Sequence, residues 1–160
     1  MSPAEIRDIL GLKDQCMVSF GGSEISIAPG DSITFWELAR FAKDGFSALK
    51  STENISRMVD LQSTAVSSNL TVEQAFELKR NAFNAQVMLT NLGRLPFDST
   101  FGSLKLETLW APVALRGIEG EQTLGAVTVN GSLHLTHTSP VPIPSLLSGM
   151  EEELRKVCAI

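Results

Sequence analysis

At 160 residues, 43% apolar and 19% charged, the chain has material for one ordinary hydrophobic core. Its net charge of −5 comes from 13 basic and 18 acidic residues scattered along the sequence, which excludes the clustered basic face that a nucleic acid or an anionic membrane requires. No apolar run approaches the roughly 18 residues of a membrane-spanning helix. The opening MSPAEIRDILG has neither the basic start nor the apolar centre of a secretory leader, so a cytoplasmic protein is expected.

In chain order, MSPAEIRDILG reads as a short helix ended by Gly11. Gln15–Phe20 and Glu24–Ala28 read as two strands of a hairpin turned at Gly21 and Gly22, with Pro29–Ser32 as a loop. That glycine pair lacks the helix start and lysine of a phosphate loop. Thr34 with Glu37 three residues on is a capping box. The stripe Phe35, Leu38, Ala39, Ala42, Phe46, Leu49 then predicts a helix from Thr34 to about Leu49, with Phe35, Leu38 and Phe46 buried on a sheet. Glu53–Val66 is a weaker helical pattern, and Leu70–Gln86 opens with a second capping box, Thr71 with Gln74.

From Val87 the period changes. VMLTN reads as a strand and Leu104–Trp110 as an alternating one. Asn130-Gly131 between AVTV and SLHLT is a hairpin signal that sets Val129 opposite Ser132 and Val127 opposite His134. SPVPIP breaks the sheet, and Pro144 suits the first turn of a closing helix over Ser145–Val157, with Leu146, Leu147, Met150 and Leu154 as its apolar stripe. The fold class expected is α/β, a mixed β-sheet flanked by helices, in a single domain over residues 1–160.

The order of VMLTNLGRLPF, TFGSLKLETLW, GAVTVNGSLHLTHT and a terminal helix, after the aromatic helix TFWELARFAKDGFSAL, resembles the C-terminal lobe of the chloramphenicol-acetyltransferase-like acyltransferase superfamily. Condensation domains and alcohol O-acetyltransferases belong to that superfamily. The resemblance implies a C-terminal-lobe-like half of an enzyme that moves an acyl group to an alcohol, amine or thiol. The acyl donor is a thioester of coenzyme A or of a carrier-protein phosphopantetheine arm, a co-substrate rather than a tightly bound cofactor. It also implies that Thr90, Asn91 and Gly93, at the end of LTNLG, line a substrate channel between lobes; a plain strand end with a glycine turn is the other reading of these residues.

The superfamily's base lies in an HHxxxDG motif, which this sequence lacks; its two histidines, His134 and His137, are not adjacent and precede no Asp-Gly. Both are expected to be half-buried strand residues with satisfied hydrogen bonds, not bases, and neither has a carboxylate or cysteine spaced for a triad or a metal site. No catalytic residue and no metal ligand is therefore assigned in this chain. Cys16 and Cys158, far apart and without CxxC spacing, exclude a disulfide framework, and Cys16 is read as a small buried residue rather than a nucleophile. Trp36 and Trp110 are read as core or inter-lobe contacts. The implied partner is an N-terminal lobe with HHxxxDG, in the same or another chain, with a homo-oligomer as a further possibility and neither nucleic acid nor membrane as a partner. A non-catalytic binding or scaffold domain that dimerises or pairs with another chain stands as the alternative.

Overall fold

The computed structural model describes residues 2–16, 20–27, 33–48, 51–82, 85–96, 98–110, 112–115 and 117–158. They fall into two units, Met1–Asn84 and Ala85–Ile160. Both helices and strands are present, so the coarse α/β class holds.

In the first unit, strand β1 (Ser2–Glu5) pairs antiparallel with β2 (Phe20–Ser23), from Ser2 opposite Ser23 to Glu5 opposite Phe20. This corrects the helix expected at the N-terminus. Only one helical turn survives, in which Ile6 C=O accepts from the N–H groups of Ile9 and Leu10 at 3.1 Å, and Gly11 follows at φ +69°. A segment this short is a marginal helix alone, and a cross-strand ladder satisfies its backbone instead. The expected hairpin is corrected too: Gly21 and Gly22 lie within β2, and residues 24–27 belong to no strand. Gly21 is buried, and a Cβ there would stand 3.1 Å from Met58 Cε and 3.6 Å from Ile6 Cγ2. The lack of a side chain is what lets the strand lie this close to Met58. The loop at Pro29–Ser32 falls outside the described residues.

Three helices follow: α1 (Phe35–Ala48), α2 (Thr52–Ser67) and α3 (Val72–Ala82). Both capping boxes form. Glu37 Oε2 accepts from Thr34 N–H at 2.9 Å while Thr34 Oγ1 accepts from Glu37 N–H at 3.4 Å. Gln74 Oε1 accepts from Thr71 N–H at 3.0 Å and Thr71 Oγ1 from Gln74 N–H at 3.3 Å. The Thr34 hydroxyl and amide hold the Glu37 carboxyl below its usual range. Ser51 caps α2 by accepting from Asn54 N–H at 3.3 Å.

The burial predicted for α1 is only partly realised. Leu38 and Phe46 are half-buried, whereas Phe35 is exposed and meets Trp36 edge to face at 5.2 Å. Trp36 is likewise exposed, not core. Among the described residues of this unit the buried large apolar side chains are Ile6 and Ile55. Gly45 abuts Ile25, whose Cδ1 would stand 3.3 Å from a Cβ at that position.

The second unit is built on a mixed sheet of order β3-β6-β7. Strand β3 (Val87–Arg94) is followed by the two-residue strands β4 (Thr100–Phe101) and β5 (Leu104–Lys105), then by β6 (Gln122–Val129) and β7 (Ser132–Thr138). β3 runs parallel to β6, and β7 antiparallel to it. The hairpin register is the predicted one, Val129 opposite Ser132 and Val127 opposite His134, and Asn130 and Gly131 take φ +51° and +77°. Both positive angles are what a two-residue turn matched to strand twist requires.

β6 is the central strand and is buried on both faces. Val127 is fully buried and, with Val129, packs against Leu95, Leu106 and Leu109 from the connection between β3 and β6. The strand predicted over Leu104–Trp110 shrinks to β5, because its ladder ends once Leu106 N–H reaches Ser99 C=O at 2.6 Å. Trp110 is 75% exposed and so not a core residue. The closing helix α4 (Leu146–Cys158) contacts β7, with Leu146, Leu147, Met150 and Leu154 half-buried.

Candidate functional site

β3 and β6 are parallel, so their carboxyl ends emerge at one edge of the sheet. Thr90 pairs with Gly125 and Asn91 with Ala126, after which the register slips: Arg94, not Gly93, pairs with Thr128. The slip is a one-residue bulge, with Leu92 and Gly93 both facing the place of Val127. Gly93 sits at φ +67° with no atom near its absent Cβ, a conformation rarely adopted by residues with side chains. Asn91 Oδ1 fixes this turn by accepting from Gly93 N–H at 2.8 Å.

Thr90, Asn91 and Gly93 are thus brought together. Asn91 and Gly93 shape the backbone, and Thr90 is a half-buried ladder residue. An unbroken ladder would place Arg94 opposite Val129 and on its buried face. The bulge instead gives that face to Leu95, whose N–H donates to Thr128 C=O at 3.3 Å.

Beside the bulge lies a cavity of about 190 Å³. Arg94, Leu95, Ser99, Leu106, Val129 and Asn130 are among the residues that line it. The β4–β5 hairpin returns the chain so that Ser99 and Leu106 stand side by side. Asn130 Nδ2 ties this loop to the β6–β7 turn by donating to Leu106 C=O at 2.6 Å. Arg94 and this cavity were not among the residues singled out from sequence; the only available signal was the Asn-x-Gly placed directly before an arginine.

The histidines stand on opposite faces of β7, since His134 pairs with Val127 and His137 with Leu124. His137 Nε2 lies 2.6 Å from Gln122 Oε1. Both amide hydrogens of Gln122 are spent on carbonyls, of Gly120 at 3.2 Å and Val141 at 3.1 Å, so Oε1 is the acceptor and His137 Nε2 carries the proton. That nitrogen cannot then take a proton from a substrate. His134 corrects the expectation of a satisfied hydrogen bond: its Nε2 is buried and has no hydrogen-bond partner among the described residues. Thr123 Oγ1, on the same face, is also buried without a partner among them. The two residues are four strand positions from each other by register, roughly 13 Å, too far for a shared bond.

Cys16 and Cys158 are both exposed, which corrects the buried reading of Cys16. Among the described residues no group of three His, Cys, Asp or Glu could hold a metal ion. Nor, among them, is any helix long and apolar enough to cross a membrane. No protein-family model, curated protein or solved structure matches the chain.

Proposed function

We propose that the chain acts as the C-terminal lobe of a chloramphenicol-acetyltransferase-like acyltransferase or condensation enzyme. In this reading the mixed sheet of the second unit forms one wall of an acyl-transfer site, where the thioester of coenzyme A or of a phosphopantetheine arm is co-substrate. The lobe contributes surface and orientation, which can supply a large share of a rate enhancement once the reacting groups are in place. The proton-accepting histidine comes from a second lobe bearing HHxxxDG.

The observation that carries this reading is the apolar character of the segment joining β3 to β6. Phe101, Leu104, Trp110, Val113 and Leu115 are all 57–75% exposed along that one connection. Large apolar side chains left on a surface mark a contact site where they form one contiguous patch. The two histidines support the division of labour, one with its Nε2–H committed to Gln122 and the other with a buried Nε2 that has no hydrogen-bond partner among the described residues.

The test has two parts on the purified chain. With acetyl-CoA and simple alcohols or amines, no acyl transfer above background is expected. Turnover that disappears in His134→Ala or His137→Ala would assign the base to this chain and overturn the proposal. Light scattering is expected to show concentration-dependent association through the unpartnered connection. A monodisperse monomer that binds no apolar dye would replace the lobe reading with an independent binding domain.

A further inference from the structure

We propose that β7 is the surface through which two copies of this chain associate, edge to edge and antiparallel, about a two-fold axis at Leu135. In the sheet order β3-β6-β7, β7 has β6 on one side and, among the described residues, no strand on the other. The inference stands on the hydrogen-bond register of the sheet and does not require acyl transfer.

The register decides which backbone groups face outwards. A two-residue turn closes on a hydrogen-bonded pair, here Val129 with Ser132, and bonded and non-bonded pairs alternate from there. Thr128, Ala126 and Leu124 on β6 and their partners Leu133, Leu135 and His137 on β7 therefore turn their backbone groups away from each other. The Leu95 N–H that reaches Thr128 C=O at 3.3 Å from the β3 side fits this alternation. Leu133, Leu135 and His137 thus present N–H and C=O to the open edge of β7, and among the described residues nothing bonds to them there.

These three residues are self-complementary. They occupy every second position, symmetrically about Leu135. In an antiparallel pair with the axis there, Leu135 meets Leu135 of the second copy, and Leu133 of each copy meets His137 of the other. About six backbone hydrogen bonds form, and no outward group of the three is left over. The paired side chains lie on one face of the extended sheet, within reach of each other.

One edge of this sheet is defended against pairing and the other is not. β3 slips its register between Asn91 and Arg94, holds Gly93 at φ +67° and ends on a charge. Bulges and charges are devices that keep an edge strand from pairing. β7, SLHLTHT, has seven residues, no lysine, arginine, aspartate, glutamate or proline, and an unbroken register from Ser132 to Thr138. An edge of this length left plain is a template for another strand. A second copy of β7 matches it without bringing a formal charge to the junction. The two-fold pairing uses up both copies of this edge, and the bulged edge of β3 does not extend it, so the assembly closes at a dimer.

The experiment is sedimentation velocity of the full chain over a range of concentrations, with amide hydrogen exchange at the two extremes. The unaltered chain is expected to pass from monomer to dimer. The amides of Leu133, Leu135 and His137 should be slow to exchange in the dimer and fast in the monomer, while those of His134 and Thr136, bonded to β6, stay slow in both. Leu133→Pro removes an outward N–H from each copy and leaves the ladder to β6 intact, a placement that proline tolerates on an edge strand. It should weaken dimerisation at least about tenfold. Leu133→Lys, which keeps the backbone and adds a charge to the edge, should weaken it as well. Leu104→Lys, on the exposed connection between β3 and β6, should leave this dimer in place. A chain that stays monomeric, a dimer that both Leu133 variants retain, or a dimer lost in Leu104→Lys but kept in Leu133→Pro would each overturn the assignment. So would exchange at Leu133, Leu135 and His137 that does not depend on concentration, a reading that needs no variant.

Discussion

Gln122 and His137 meet at 2.6 Å across β6 and β7 although they are not ladder partners, since His137 pairs with Leu124. They are diagonal neighbours on one face, a separation that long polar side chains can bridge. Gln122 is buried, and its amide also holds the Gly120 and Val141 carbonyls on either side of the sheet's end. One side chain thus fastens the entry of β6, the exit of β7 and the imidazole of His137.

Gln122→Leu should accordingly destabilise the chain by about 2–3 kcal/mol, because it keeps the volume and strands the groups that Gln122 bonded. Urea unfolding followed by circular dichroism reads this directly. A change under about 0.5 kcal/mol would mean that water replaces the amide at no cost and that the site is open to solvent.

Thr123 predicts a change of the opposite sign. It is fully buried and its hydroxyl has no hydrogen-bond partner among the described residues. Valine has nearly the same shape without the hydroxyl. Thr123→Val should therefore stabilise the chain by roughly 1–2 kcal/mol, by removing the cost of a desolvated, unbonded group. The same unfolding assay decides it, and a loss of stability would reveal a bound water or ligand on the hydroxyl.

The parts of the fold legible in sequence are those governed by local chemistry. Thr34 with Glu37, Thr71 with Gln74 and Asn130-Gly131 each encode a complete bonding pattern within four residues, and all three form. The parts that were not legible depend on distant pairing. Whether Ser2–Glu5 is helix or strand is decided by Phe20–Ser23, and nothing in either segment names the other. The alternation over Leu104–Trp110 is a genuine strand pattern, yet only Thr100–Phe101 is there to pair with it. Thr90, Asn91 and Gly93 were singled out by the resemblance, and what the structure shows of them is local: Asn91 and Gly93 shape a turn at the bulge. Arg94 was overlooked because nothing in the sequence marks the bulge that sets its place at the end of β3.

The N-terminal hairpin carries a pH-dependent element. Glu5 accepts from Arg7 Nε at 2.8 Å, from Arg7 Nη2 at 2.7 Å and from the Arg7 backbone N–H at 2.9 Å. Hydrogen bonds from the Arg7 side chain, then from its backbone, bring the Glu5 carboxyl from 4.5 down to about 2. The folded value lies below the unfolded one, so the contribution is fully present above pH 4.5 and is lost as pH falls towards 2. Carboxyl ¹³C NMR should place the Glu5 midpoint near the lower limit, and Arg7→Leu should return it to the ordinary range. An ordinary midpoint in the unaltered chain would mean that this exposed ion pair is not maintained in solution.

Gly93 tests the bulge itself. At φ +67° alanine is strained although the space is open, so Gly93→Ala should cost roughly 1–2 kcal/mol. Asparagine tolerates the left-handed region better, and Gly93→Asn should recover much of that loss. The consequence reaches beyond stability. If the bulge is what turns Arg94 away from the Val127–Val129 face, a chain that relieves the strain by straightening β3 pushes Arg94 towards Val129 and draws Leu95 off its packing. The amides of Leu95 and Val129 should then exchange with solvent faster in Gly93→Ala than in Gly93→Asn. Equal protection in both variants would show that Leu95 holds its place without the glycine, and that packing of the cluster sets the register rather than the turn.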